Sequence, residues 1–150
     1  MALPPLTEDG ELRPGVHAAS LLEVLDRFGG GSGSAQRKAV ALRLERVYRI
    51  ARATGQLARF AVFGSFVTNK PEPQDVDVFL VMADTFDASR LIGDARLLFD
   101  HAAAQAHFGA SVFWVRHLAA WQGEQAAVEF WQVKRGGGRR GIVEILTEAP

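Results

Sequence analysis

The residue pattern predicts an α/β (or α+β) fold: a mixed twisted sheet with helices packed mainly on one side. Two observations carry this. Apolar runs of strand length at residues 57–63, 75–82 and 110–115 alternate with helix-length amphipathic stretches at 34–54 and 87–108. Glycine or proline separates most of these segments, as chain reversals require.

In chain order, residues 1–15 carry Pro4, Pro5 and Pro14 and read as an extended N-terminal arm. Residues 16–150 read as a single domain. Over 16–28, Leu21, Val24, Leu25 and Phe28 fall at i, i+3, i+4, i+7 and predict a helix, with Ser20 and Glu23 spaced as a capping box. Residues 29–34 are all Gly or Ser and predict a flexible connector. Residues 34–54 are the clearest helix: Val40, Leu44, Val47, Tyr48 and Ala51 form its apolar stripe and Gly55 ends it. Arg37, Lys38, Arg43, Arg46, Arg49 and Arg52 fill the remainder, as a solvated face or as a basic face beside a cleft.

Residues 57–63 and 75–82 are the two central strands. Between them Lys70-Pro71-Glu72-Pro73 is a rigid turn. Residues 87–108 predict one long helix, capped by Asp87, burying Leu91, Ala95, Leu98 and Ala102, stopped by Gly109 and crossing over to a strand at 110–115. His101 and His107 are six apart and do not share a helix face, so they are no metal pair. Residues 117–127 predict a short helix. Residues 128–134 and 139–146 predict a C-terminal β-hairpin through Arg135-Gly136-Gly137-Gly138, with Lys134, Arg135, Arg139 and Arg140 either guarding a sheet edge or forming a patch that touches RNA, DNA or a partner. Trp114, Trp121 and Trp131 read as core or interface anchors.

Composition sets outer bounds. The chain has 150 residues, with Lys+Arg 17 and Asp+Glu 17, so its formal net charge of zero argues against broad electrostatic binding to nucleic acid. With no cysteine there is no disulfide framework and no thiolate metal site. No apolar run approaches the ~20 residues of a membrane helix, and no secretory signal pattern opens the chain; the expectation is a cytoplasmic protein away from membranes. Oligomeric state is left open.

The chemistry concentrates between the central strands. Gly64-Ser65 follows the first, and Asp75-Val76-Asp77-Val78 opens the second. Residues two apart on a strand point the same way, so Asp75 and Asp77 aim at one spot. Two carboxylates on one spot suit Mg²⁺ (or Mn²⁺), which is completed by phosphate oxygens and water. Gly64 permits a sharp turn and close approach of a ligand, and Ser65 offers hydroxyl and N–H donors to an anion.

The spacing Gly64-Ser65, about ten residues, Asp75-x-Asp77 resembles the DNA polymerase β-like nucleotidyltransferase superfamily in its minimal, single-domain form. The fuller string, Gly64-Ser65-Phe66-Val67-Thr68, then Lys70-Pro71, then Asp75-Val76-Asp77-Val78, looks like a prokaryotic branch of it. The resemblance implies that fold and a nucleoside triphosphate substrate. Gly64, Ser65 and Lys70 would sit at the phosphates, with Asp75 and Asp77 as metal-binding catalytic residues. It implies transfer of a nucleoside monophosphate to a hydroxyl of a protein, an RNA such as tRNA, or a small molecule, as in toxin–antitoxin or phage-defence pairs. The superfamily carries a third carboxylate on the neighbouring strand. Here that position falls on Ser111 or Phe113, and Glu129 and Glu144 are the acids that would have to reach in instead. The alternative is a catalytically degenerate module that binds or regulates.

Overall fold

Two antiparallel strands, β2 (Leu57–Phe63) and β3 (Val76–Met82), lie at the heart of the computed structural model, which describes residues 3–29, 34–117 and 139–146. Around them stand β1 (Val16–Ala19), β4 (Ala110–Arg116) and β5 (Ile142–Ile145), in a five-stranded mixed sheet of order β1-β5-β2-β3-β4. Among the described residues the fold is mixed α+β, with four α-helices: α1 (Leu21–Val24), α2 (Ala35–Ala53), α3 (Gly93–Leu98) and α4 (His101–Phe108). No described helix is long and apolar enough to cross a membrane.

Alternation along the strands sorts the side chains. Val76, Val78, Leu80 and Met82 of β3 join Phe60 and Val62 of β2, and Val40, Leu44, Val47 and Ala51 of α2, in the main core. Phe79 and Val81 point the other way, into a smaller cluster with Ala61 and Ile142. β3 pairs β4 in parallel, with α3 and α4 in the crossover between them.

Helix α2 follows the pattern read from the sequence. Ser34 caps it by accepting from Arg37 N, and Gly55 leaves it with φ 71°. The helix expected over 16–28 is corrected: Val16–Ala19 is a strand paired in parallel with β5, and helix begins only at Leu21, where the i, i+3 stripe begins. It ends in a π-turn at Leu25–Gly29. Ser20 caps as predicted, whereas Glu23 accepts from Leu3 N at 2.6 Å, so its carboxylate ties down the N-terminal arm. That arm buries Leu3 and Leu12 in the core.

The single helix expected over 87–108 is also corrected. A 3₁₀ turn (Ala88–Arg90), α3 and α4 replace it, because Ile92 is extended, Gly93 has φ 61° and Asp100 caps a fresh helix by accepting from Ala103 N. The break resets the helical phase. Leu98, Ala104 and Phe108 are buried while Ala102 is exposed. The edge position expected of the last strand is corrected too: β5 lies between β1 and β2, and its antiparallel partner is β2. The helix expected at 117–127, the strand at 128–134 and the glycine turn, with Glu129, Trp121 and Trp131, lie outside the described residues, apart from His117, which is a turn.

Candidate active site

Gly64 follows β2 with φ 81°, ψ −164°, a backbone state that L side chains rarely adopt. It is also where another residue comes closest. A Cβ built on Gly64 would collide with Asp77 Oδ2 and stand 3.0 Å from Asp77 Cγ. The glycine therefore does two things: it turns the chain and makes room for a carboxylate. The chain then enters a single 3₁₀ turn, Ser65–Val67, with Phe66 and Val67 buried beneath it.

Asp77 sits in the cross-strand row Phe63–Asp77–Ser111, so these side chains share one face of the sheet. Asp75 lies one residue ahead of β3; the strand begins at Val76 rather than at Asp75. Ser111 connects the two acids. Its hydroxyl donates to Asp75 Oδ2 at 3.1 Å, accepts from Gln105 Nε2 at 3.0 Å, and is itself buried.

Burial, first, and the neighbouring Asp75 charge, second, push the Asp77 carboxyl up to about 6 from its ordinary 3.8. The Ser111 hydroxyl and the Arg140 charge act in the opposite sense. The geometric hydrogen bond of Ser111 goes to Asp75, and a hydroxyl has one proton, so the repulsion between the acids is only partly relieved. A cation between the two carboxylates would oppose that repulsion. The donor set fits one such ion through Asp75 and Asp77, with remaining positions left to ligand oxygens and water. Among the described residues no group of three or more His, Cys, Asp or Glu side chains is placed to hold a metal.

The sequence-predicted residues separate cleanly. Gly64, Ser65, Asp75, Asp77 and Ser111 come together. Lys70 lies midway along the loop with an exposed side chain, and its carbonyl is bound by Arg37. Glu144 does not reach in: it faces Arg59, with Arg59 Nε at 3.0 Å in a two-pronged, half-buried ion pair. Phe113 packs on Phe63 at 6.1 Å between ring centres.

Three contributors escaped sequence reasoning. Gln105 positions Ser111. Arg140 pairs with Glu11 at 3.5 Å and lends its charge to Asp77. Arg37, expected on a basic face either solvated or beside a cleft, is 8% exposed and points inward. Helical phase could have found it, because residue 37 precedes Val40 and Leu44 on the apolar stripe.

No curated protein and no solved structure matches the chain. Residues 4–146, which span the arm, the sheet and the candidate site, match a family whose description is "Family of unknown function" (DUF6932), and the chain belongs to that family.

Proposed function

We propose that the chain is a Mg²⁺-dependent nucleotidyltransferase-like protein with a polymerase β-like catalytic fold. It moves a nucleoside monophosphate from a nucleoside triphosphate to a hydroxyl of a protein, an RNA or a small molecule. The observation that carries this reading is the seat of the Asp77 carboxylate against the Gly64 bend, with Asp75 beside it and a hydroxyl bridging to the next strand. Triphosphate chemistry needs that juxtaposition: an anion-accepting bend facing paired carboxylates that accept a divalent cation.

In this reading Asp75 and Asp77 hold Mg²⁺, which supplies charge neutralisation at the phosphates. The residues 64–65 bend receives the phosphate oxygens. The acceptor hydroxyl forms a bond to the α-phosphorus, the bond from that phosphorus to the pyrophosphate oxygen breaks, and the hydroxyl proton passes to solvent. Positioning and electrostatics supply the rate enhancement.

The deciding experiment supplies α-³²P-labelled triphosphates, Mg²⁺ and candidate acceptors: the chain itself, tRNA and small hydroxyl compounds. Label transfer by the wild type and its loss in Asp77→Ala are expected. Equal labelling by both proteins overturns the reading. A second reading is favoured by Ser111, which stands opposite Asp77 where the resemblance leads one to expect a carboxylate. There the protein binds a magnesium nucleotide and acts by contact with a partner. Binding of Mg·NTP without labelling of any acceptor supports that version.

A further inference from the structure

The loop that contains the Gly64 bend is held by side chains that reach for its main-chain oxygens. Arg37 Nη1 donates to Phe28 O and Phe66 O, each at 3.0 Å, and Nη2 donates to Thr68 O at 2.6 Å and to Lys70 O. Further along, Ser34 Oγ donates to Pro71 O at 3.2 Å and Gln36 Nε2 to Pro73 O at 3.0 Å. Main-chain oxygens from residue 66 to residue 73 are thus taken up by the first turn of α2.

Arg37 is central to this arrangement. Its guanidinium is buried, and among the described residues it has no carboxylate partner. Burying a charge without a counter-charge is costly. Burial alone pulls its pKa down from the ordinary value, which leaves it a cation satisfied by carbonyl dipoles. Only a planar fork of five N–H donors can serve four carbonyls spread over two segments. A side chain serving packing alone would need none of this; a methionine fills similar space at lower cost. The three loop carbonyls it holds alternate, at residues 66, 68 and 70, so it fixes the path of the chain directly after Ser65.

We infer that Arg37 is a positioning residue: it sets the shape of residues 64–70 so that the bend can receive the anionic end of a ligand. The part concerning the ligand rests on the nucleotide reading above. The part concerning the loop does not.

The test is amide hydrogen exchange on wild type and Arg37→Lys, without ligand, followed by titration of each with Mn²⁺ and with MgATP and MgGTP. Lysine keeps the charge and loses the fork. Exchange at residues 67–70 is expected to quicken about tenfold or more, while amides of β2 and β3 stay within about twofold. Mn²⁺ affinity at Asp75 and Asp77 should hold within about threefold while MgNTP affinity falls about tenfold. Unchanged exchange at 67–70, or equal acceleration through the whole sheet, overturns the inference. Should Arg37→Lys fail to fold, Gln36→Ala removes the outermost bond and leaves the Ser34 cap of α2 in place, and a smaller acceleration confined to the same loop is expected; its absence counts against us. If the wild type binds neither nucleotide, the proposed function falls and the exchange measurement still decides the role of Arg37.

Discussion

The two sides of the candidate site are built by different means. The acid side is a strand whose own alternation turns Asp77 one way and Val76 and Val78 the other, and backbone ladders to β2 and β4 do the rest. The loop side has no ladder. Its shape depends on Arg37, about thirty positions earlier in the chain, and on Gly10, whose carbonyl accepts from Asn69 N at 2.9 Å and whose Cα leaves no room for a side chain beside Asn69. A strand carries its orientation in its periodicity. A loop borrows its conformation from partners that periodicity does not announce.

Gly64 belongs to both sides, so changing it should have the largest effect. Gly64→Ala combines a positive φ with a methyl group aimed at Asp77 Oδ2. We expect a loss of about 3 kcal/mol in urea unfolding and abolition of Mn²⁺ binding at the acids. Wild-type Mn²⁺ affinity in this variant would mean that the two sides are not coupled through that contact.

Asp77→Asn addresses the acid side alone. The folded-state carboxyl titrates near 6 and the ordinary value is 3.8. A raised carboxyl pKa means that stability is fully present below the unfolded value and is lost as pH rises through 6. In EDTA the wild type should therefore gain stability as pH falls from 7.5 to 5, and Asp77→Asn should flatten that dependence. At pH 7.5 the variant should be more stable by roughly 2 kcal/mol while its Mn²⁺ affinity drops at least tenfold, both on the order of magnitude that the shift implies. A variant whose pH profile matches wild type would show that the Asp77 carboxyl is not the group that carries this dependence.

Glu144→Gln touches neither side. Removing the charge that faces Arg59, where the two side chains are 18% and 23% exposed, should cost about 1–2 kcal/mol. Mn²⁺ binding should stay as in wild type. A drop in Mn²⁺ affinity would return Glu144 to the site and put our assignment of it to Arg59 in question.

This contrast also explains what the sequence made legible. The strands around residues 57–63, 76–82 and 110–116 and the helix at Ala35–Ala53 declared themselves through period and punctuation. The closeness of Gly64 to Asp77 followed from strand alternation at residue 77, whereas Asp75 stands ahead of the strand and is tied to it through Ser111. Of the two residues considered for a third carboxylate position, Ser111 stands in register with Asp77. Other features were hidden. Val16–Ala19 looked helical because an apolar stripe follows it closely, and only its long-range pairing with Ile142–Ile145 makes it a strand. The break at Asp100 was masked by residues that are acceptable inside a helix, since local propensity is weaker than an alternative cap. Arg37 was read by charge type, when its place on the stripe was the better guide. Arg140 was assigned to a sheet edge, when its influence reaches Asp77.

The placement of β5 bears on the order in which the molecule can be finished. During synthesis Asp75 and Asp77 leave the ribosome well before Arg140, and β1 must wait for Ile142–Ile145, its parallel neighbour, to emerge. Joining two segments far apart along a polypeptide is entropically slow. The surroundings of the acids are therefore complete only once β5 has joined β2 and brought Arg140 to its place.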